Sequence, residues 1–329
     1  MGLSYAQQKK YNILFIAFDD LKPNLGCYGF SETITPNFDK LAESSTIFTK
    51  AYCQQAVCAP TRASLLTGLR PDKTKVWNLQ TLIRSKNPDI ITLPQYLRLN
   101  GYQTIGMGKI FDPRSVDKYL DSVSWSVPYF KKFKLAEGFE NLAYQSYQSE
   151  AIIAKVKAGV KLAGTGKTNE VKLSTECLDI PDDAYKDGAM TNLAIQQLDK
   201  LKSSTSPFFL AVGFNKPHLP FIAPKKYWDL YDRSKISLAQ WKENAVDGPE
   251  ITYHNSGELR SYFDIVPSAE SSKIKRLILD ESKERELIHG YYACISYVDA
   301  QVGKLIDALH KNGLDKNTIV VIWGDHGWH

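Results

Sequence analysis

Four short apolar runs punctuate the chain, at residues 12–18, 103–107, 208–214 and 318–323, each rich in β-branched or aromatic residues and closed by polar or turn residues. Runs of this length and make-up predict strands buried on both faces, as in a parallel sheet. Between them the apolar spacing changes to three and four. Residues 36–45 predict a helix with Thr35 as N-cap and Pro36 at its first position. Leu93–Leu99 predicts another, stopped by Asn100-Gly101. Over 187–202, Met190, Leu193, Ala194, Leu198 and Leu201 share one face. Over 284–311, Ile288, Tyr291, Ile295, Val298, Val302, Leu305 and Leu309 form one stripe that ends at Asn312-Gly313. Strands alternating with such helices predict an α/β layered fold.

Residues 112–185 and 231–273 hold no sustained period and are expected to be long loops, which in a compact domain are usually functional or mobile. Residues 155–172 read as an exposed flexible loop. Inside it, Gly164-Thr165-Gly166-Lys167-Thr168 ends like a phosphate-binding P-loop. That motif needs glycine at position 161, which is Lys161, and no apolar strand leads into it, so a lysine-rich loop is the better reading.

Composition adds limits. It is that of a soluble globular protein, and no apolar run approaches the roughly 18 residues of a membrane-spanning helix. The net charge of +5 is spread along the chain. Its densest basic patch, Lys131, Lys132 and Lys134, reads as a solvated face, so nucleic-acid binding is not expected, although a mildly positive surface attracts anionic substrates. Five cysteines are too few and scattered for a disulfide framework; a Cys53–Cys58 pair stays open, and no zinc spacing occurs. Residues 1–11 form a tail with two readings. It is an ordinary polar terminus, or the remnant of a clipped signal peptide for which Ser4-Tyr5-Ala6 supplies small residues. The chain stops at His329, just after a strand-like run, which would leave a strand edge without cover. Residues 12–329 are therefore expected to be an incomplete domain of a longer protein.

Each predicted strand runs into reactive groups: Asp19-Asp20, Gly108-Lys109, Asn215-Lys216-Pro217-His218 and Asp325-His326. In open α/β sheets ligands bind beyond the carboxyl ends of the strands. Taken singly, Asp19-Asp20 could cap a helix and His218 could be a turn residue. Together they predict carboxylates, histidines and lysines on one edge. Oxygen donors favour a hard cation, calcium or magnesium, over zinc. Lysines beside such an ion suit a sulfate or phosphate group. Cys58 lies in Cys58-Ala59-Pro60-Thr61-Arg62, followed by Leu66-Thr67-Gly68. A lone cysteine is commonly a buried structural one, and a thiol made reactive by Arg62 is the other plain reading.

The Cys58 run resembles the formylglycine signature of type I sulfatases. Asp19-Asp20 and Gly324-Asp325-His326-Gly327 resemble that family's two metal-binding segments. Leu25-Gly26-Cys27-Tyr28-Gly29, Lys216-Pro217-His218 and Ser296-Tyr297-Val298-Asp299 are similar to the iduronate-2-sulfatase branch, and the resemblance spans about residues 12 to 328. It implies an alkaline-phosphatase-like sandwich with a central, largely parallel sheet flanked by helices, the family's smaller C-terminal subdomain being absent from this chain. It implies one calcium ion held by Asp19, Asp20, Asp325, His326 and modified Cys58. It also implies a sulfuric-ester hydrolase acting on a sulfated sugar, with a 2-O-sulfated uronate as the candidate substrate. Cys58 would be converted to formylglycine by a formylglycine-generating or anaerobic sulfatase-maturating enzyme. One oxygen of the hydrated aldehyde would attack sulfur and displace the sugar alcohol; loss of the other hydroxyl's proton would then expel sulfate. Lys109 would neutralise the sulfuryl oxygens, Arg62 would orient the formylglycine, and His218 would protonate the leaving oxygen. The family's usual setting is extracytoplasmic.

Two departures qualify this reading. Many sulfatases place a histidine shortly after Gly-Lys, whereas here Asp112 follows Lys109-Ile110-Phe111. Asp112 either accepts the proton instead or begins the loop at Asp112-Pro113. The family's further sulfate-binding lysine would lie beyond His329, so this chain alone is expected to be weakly active or inactive. The competing readings are a phosphonate or phosphodiester hydrolase of the same superfamily and an inactive, non-catalytic remnant.

Overall fold

The computed structural model describes residues 10–142, 147–162, 170–242, 246–249, 256–267 and 277–328. The strands, in chain order, are β1 (Asn12–Asp19), β2 (Gln103–Gly108), β3 (Lys161–Leu162), β4 (Glu170–Val171), β5 (Thr175–Leu178), β6 (Phe208–Pro217), β7 (Phe221–Pro224) and β8 (Thr318–Gly324). The helices are α1 (Pro36–Ala42), α2 (Cys58–Thr67), α3 (Pro71–Thr74), α4 (Ile83–Lys86), α5 (Leu93–Leu99), α6 (Glu150–Lys157), α7 (Lys186–Leu201), α8 (Lys225–Trp228) and α9 (Glu281–Lys311).

The four predicted strands form one parallel sheet in the order β2-β6-β1-β8. Alternation along β1 explains its place inside the sheet. Leu14, Ile16 and Phe18 face a core completed by α7 and α9, while Phe15 and Ala17 face a second core with Ala59, Ala63 and Leu66 of α2 and Leu97 of α5. Strand β6 repeats the pattern, with Leu210, Val212 and Phe214 on the first face and Phe209 and Ala211 on the second. The result is a helix–sheet–helix layering, as the pattern predicted. Because every strand runs the same way, their carboxyl ends share one edge. There β1 and β6 slip register between Phe18 and Asp19, so Asp19 faces Pro217. Gly108 closes β2 at φ +72°, and a Cβ there would lie 2.1 Å from the Gly213 carbonyl oxygen.

Several details differ from expectation. Helix α1 ends at Ala42, and Thr35 makes no side-chain cap to it. Its hydroxyl is taken by Gly26 N, which donates at 3.0 Å, and by Asp39. Asp299 of α9 does the capping: it accepts from Asn37 N at 3.1 Å and Phe38 N at 2.7 Å. The Cys58 run, given no element from the pattern, is helical and is closed by Gly68 in the left-handed conformation. The described residues of the region 112–185 are largely irregular but include α6, whose N-cap Ser149 accepts from Ile152 N. Lys155 to Lys157 thus belong to a helix rather than to a flexible loop. The short pair β3–β4 also lies there, and β5 pairs with β7 from outside the region. The P-loop-like run 164–168 lies outside the described residues, as does the first part of the N-terminal tail.

Candidate active site

The strand ends converge as the topology requires. Asp19 closes β1, and Asp20 adopts φ 63°, a left-handed conformation that aspartate tolerates better than most residues. Tyr291 of α9 holds that turn, donating its hydroxyl to Asp20 O at 2.6 Å and accepting from Lys22 N at 3.0 Å. Asp325, just past β8, accepts from Asp20 N at 3.0 Å and His326 N at 2.8 Å. His326 Nδ1 lies 3.2 Å from Asp20, and its Nε2 lies 3.2 Å from Cys58 Sγ. The Cys58 thiol, at the first turn of α2, donates to Asp19 at 3.4 Å. Among the described residues the donor sets Asp19–Asp20–Asp325, Asp20–Cys58–His326 and Asp19–Cys58–His218 each bring their ligand atoms within 4.8 Å of one another.

Arg62 is fully buried and donates to Asp325 at 2.9 Å, Asp19 at 3.4 Å, Phe18 O at 3.2 Å and Ile110 O at 3.2 Å, as well as to Lys109 O. It ties three strand ends together and makes no hydrogen bond to Cys58. Lys109 reaches Asp19 at 2.5 Å, with Asp112 at 3.9 Å behind it. His218 Nδ1 lies 2.5 Å from Leu219 O; a carbonyl only accepts, so Nδ1 carries a proton. Its Nε2 lies 3.3 Å from Glu258 and 3.8 Å from Asp20.

Electrostatics follow from this packing. Burial opposes ionisation of Asp19, yet Lys109, His218 and Arg62 outweigh it and hold the carboxyl well below its usual range. Asp20 goes the other way, raised by burial and by the Asp19 charge. Its Oδ1 is buried without a hydrogen bond, although His326 stands 3.2 Å off in poor alignment. Burial and Asp19 likewise push the Cys58 thiol far up, which argues against a thiolate nucleophile. Cys53 is exposed and both it and Cys58 are free, so the pairing left open above does not form.

Lys216 turns away from the centre, whereas Asp112 stands just behind Lys109. Lys216 is buried and donates to His218 O at 2.8 Å and Pro220 O at 2.6 Å, which fixes the loop rather than reaching the centre. Asp112 is fully buried and accepts from Arg114 N, Nε and Nη2 at 2.9, 2.9 and 2.7 Å. Burial would raise its pKa, but Arg114 and Lys109 hold it low. Arg114, Glu258 and Tyr291 escaped the sequence reading. The first two sit in stretches without period, and Tyr291 looked like an ordinary member of a core stripe.

Comparison with known proteins agrees with this geometry. The sequence profile of the sulfatase family matches residues 11–329. The chain is 37% identical over 319 residues to iduronate 2-sulfatase of Mus musculus, covering 96% of this chain and 54% of that protein. It is 30% identical over 331 residues to a sulfatase of Formosa agariphila, covering 97% and 59%. The chain thus spans about half the length of the curated relatives it matches. Among solved structures, the phosphonate monoester hydrolase of Agrobacterium radiobacter superposes with TM-score 0.60 at 22% identity, over 97% of this chain and 63% of its own. A 2-O GAG sulfatase gives 0.55 at 18%, over 97% and 58%. These likenesses assign the alkaline-phosphatase-like α/β fold.

Proposed function

The chain belongs to the sulfatase family, and on that premise we propose that it hydrolyses a sulfate ester of an anionic sugar, a 2-O-sulfated uronate being the candidate substrate. The observation that carries this is Asp20. A buried carboxylate with an oxygen that accepts no hydrogen bond, pressed against Asp19 and Asp325 and raised in pKa despite His326 and Lys109 nearby, calls for the added positive charge that a hard divalent cation would supply. Calcium fits, and Asp19, Asp20, Asp325, His326 and residue 58 would hold it. The unmodified Cys58 sulfur stands where the oxygen of a formylglycine would stand. Once in place, the ion supplies Lewis acidity and the hydrated aldehyde supplies the nucleophilic oxygen.

The chain's own groups have separable tasks. Lys109 keeps a positive charge beside the centre, where it offsets charge growing on the sulfuryl oxygens. With Nδ1 anchored on Leu219, His218 presents Nε2 to the cleft; as the imidazolium, with both nitrogens protonated, it can give the Nε2 proton to the departing sugar oxygen and return to the neutral Nδ1–H form. Arg62 positions the strand ends rather than touching the reacting atoms. Asp112 acts as an ionised anchor for Arg114 and Lys109 rather than as a proton acceptor. The maturing enzyme that oxidises Cys58 is a required partner on this reading. An extracytoplasmic setting suits it, and no helix among the described residues is long and apolar enough to cross a membrane.

Co-expression with a formylglycine-generating enzyme tests the proposal. The expected results are an aldehyde in the peptide containing residue 58, by mass spectrometry, and calcium-dependent hydrolysis of an aryl sulfate. The likeness to the phosphonate monoester hydrolase motivates one rival, so a phosphodiester and a phosphonate monoester belong in the same assay. Faster turnover of either would replace the sulfatase reading, and a thiol that stays unmodified would point to a non-catalytic remnant.

A further inference from the structure

The segment that follows β2 carries cations and aromatic surface that the sulfate centre does not use. It leaves the sheet at Lys109 and returns beside the same strand. Ser126 N donates to Thr104 O at 2.9 Å, Phe130 N donates to Gly106 O at 3.1 Å, and Phe130 bridges Met107 in parallel. Tyr129 donates its hydroxyl to Gly108 O at 2.9 Å, so Lys131 and Lys132 emerge at the end of β2 that bears Lys109. Residues 127–132 line a shallow, open groove of about 450 Å³. Beside it lies Tyr119, an exposed residue, with the Lys118 ammonium 5.0 Å and the Lys131 ammonium 5.9 Å from the ring centre. Lys131 also donates to Lys118 O, which joins the two stretches into one rim. Arg114, half exposed on its Asp112 anchor, adds a further cation to the same segment.

The reading of the basic patch as a plain solvated face does not account for this arrangement. Solvated lysines need no exposed tyrosine among them, nor a groove beneath. A ring face stacks on sugar C–H surface, and flanking ammonium groups suit carboxylate or sulfate substituents. We propose that this rim is a saccharide subsite that holds an anionic sugar next to the one bearing the scissile ester, so that the preferred substrate is an anionic oligosaccharide. The inference rests on the sulfate-ester reading of the centre and goes beyond it by naming where the next residue of the chain lies.

The test is binding, which needs no maturation of Cys58. The 329-residue chain is titrated calorimetrically with a sulfated, uronate-free hexasaccharide and with an unsulfated oligogalacturonate, which separates the two sources of negative charge. The triple variant Lys118→Gln/Lys131→Gln/Lys132→Gln is compared with a charge-matched control, Lys200→Gln/Lys202→Gln/Lys311→Gln, at the far ends of α7 and α9. The rim variant, and separately Tyr119→Ala, should bind whichever oligosaccharide the wild type prefers at least about tenfold more weakly, with the control within about twofold. Equal losses in rim and control would reduce the effect to general charge attraction and overturn the subsite, as would unchanged affinity in the rim variant. Turnover of a small aryl sulfate by the matured protein is measured alongside and should be the same in the rim variant. Its absence in the wild type sinks the sulfate-ester reading without touching the binding comparison.

Discussion

Asp182 and Asp20 are both carboxylates withdrawn from water, with 7% and 3% of their surface exposed, and the protein treats them in opposite ways. Asp182 is saturated. It receives Tyr227 Oη at 3.0 Å, Gln301 Nε2 at 3.1 Å, Lys304 Nζ at 2.5 Å and Lys226 Nζ at 2.7 Å. Burial alone would raise its pKa, but the two lysines hold it below the usual range. Asp20 is left with an unpartnered oxygen and a raised pKa. A buried charge that is fully partnered secures packing, here the junction of α7, α8 and α9. One left unpartnered inside a ring of further ligands is a place for something the chain does not itself provide.

The sharpest way to break this contrast is to neutralise each carboxylate. Asp20→Asn should lower turnover of the matured enzyme at least about a thousandfold, roughly 4 kcal/mol of transition-state stabilisation, while leaving the unfolding midpoint unchanged or higher. Asp182→Asn should do the reverse. Turnover per folded molecule stays, and stability falls by about 2–3 kcal/mol; this is below the cost of breaking a fully buried pair because Lys226 and Lys304 reach solvent. Denaturant unfolding and kcat on an aryl sulfate would read both. If the two variants behaved alike, the division into structural and catalytic clusters would fail.

Calcium sharpens the comparison at the next level down. At about 100-fold excess over its dissociation constant it should stabilise the wild type by about 2.7 kcal/mol. Calorimetry should show the same gain in Asp182→Asn and none in Asp20→Asn. A gain that survives in Asp20→Asn would place the ion elsewhere.

The sheet and the centre were legible for one reason. A parallel strand buried on both faces must be a short apolar run, and a polar group after it must emerge on the shared carboxyl edge. The strand ends at Asp19, Lys109, His218 and Asp325 therefore followed from pattern alone, and the Cys58 motif joined them through the family resemblance. What stayed hidden depends on contacts distant in sequence. Arg114 clamping Asp112 is a side-chain pairing within an aperiodic loop, and Glu258 meets His218 across some forty residues of chain. Lys216 looked equivalent to Lys109 because both follow a strand, yet a carbonyl pair turns it inward. The cap of α1 was misassigned for the same reason. Thr35 precedes the helix in sequence, whereas Asp299 reaches it from α9, and no local rule sees that.

Asp299 supplies the finest test, because it stands between the two extremes. It is well hydrogen-bonded by Asn37 and Phe38, yet its donors are amides rather than cations. Burial, helped by nearby Asp39, pushes it up to about 6 against those amide bonds. A folded-state pKa above the unfolded value of about 3.9 means that the folded protein binds the proton more tightly. Its stabilising contribution is therefore complete below about pH 4 and is lost as pH rises through about 6. Asp182, whose pKa is lowered, contributes stability above about pH 4 that is lost as pH falls further. In Asp299→Asn the amide oxygen can still cap α1 while the charge is gone. Between about pH 4 and pH 6 the wild type should lose stability relative to this variant, with a slope no steeper than about 1.4 kcal/mol per pH unit. Asp182→Asn should leave that window unaltered and flatten the fall below it. A stability difference between Asp299→Asn and wild type that stays constant across both windows would show that amide donors alone are enough to hold a buried carboxylate ionised, and the contrast between saturated and unsaturated sites would then rest on geometry rather than on charge.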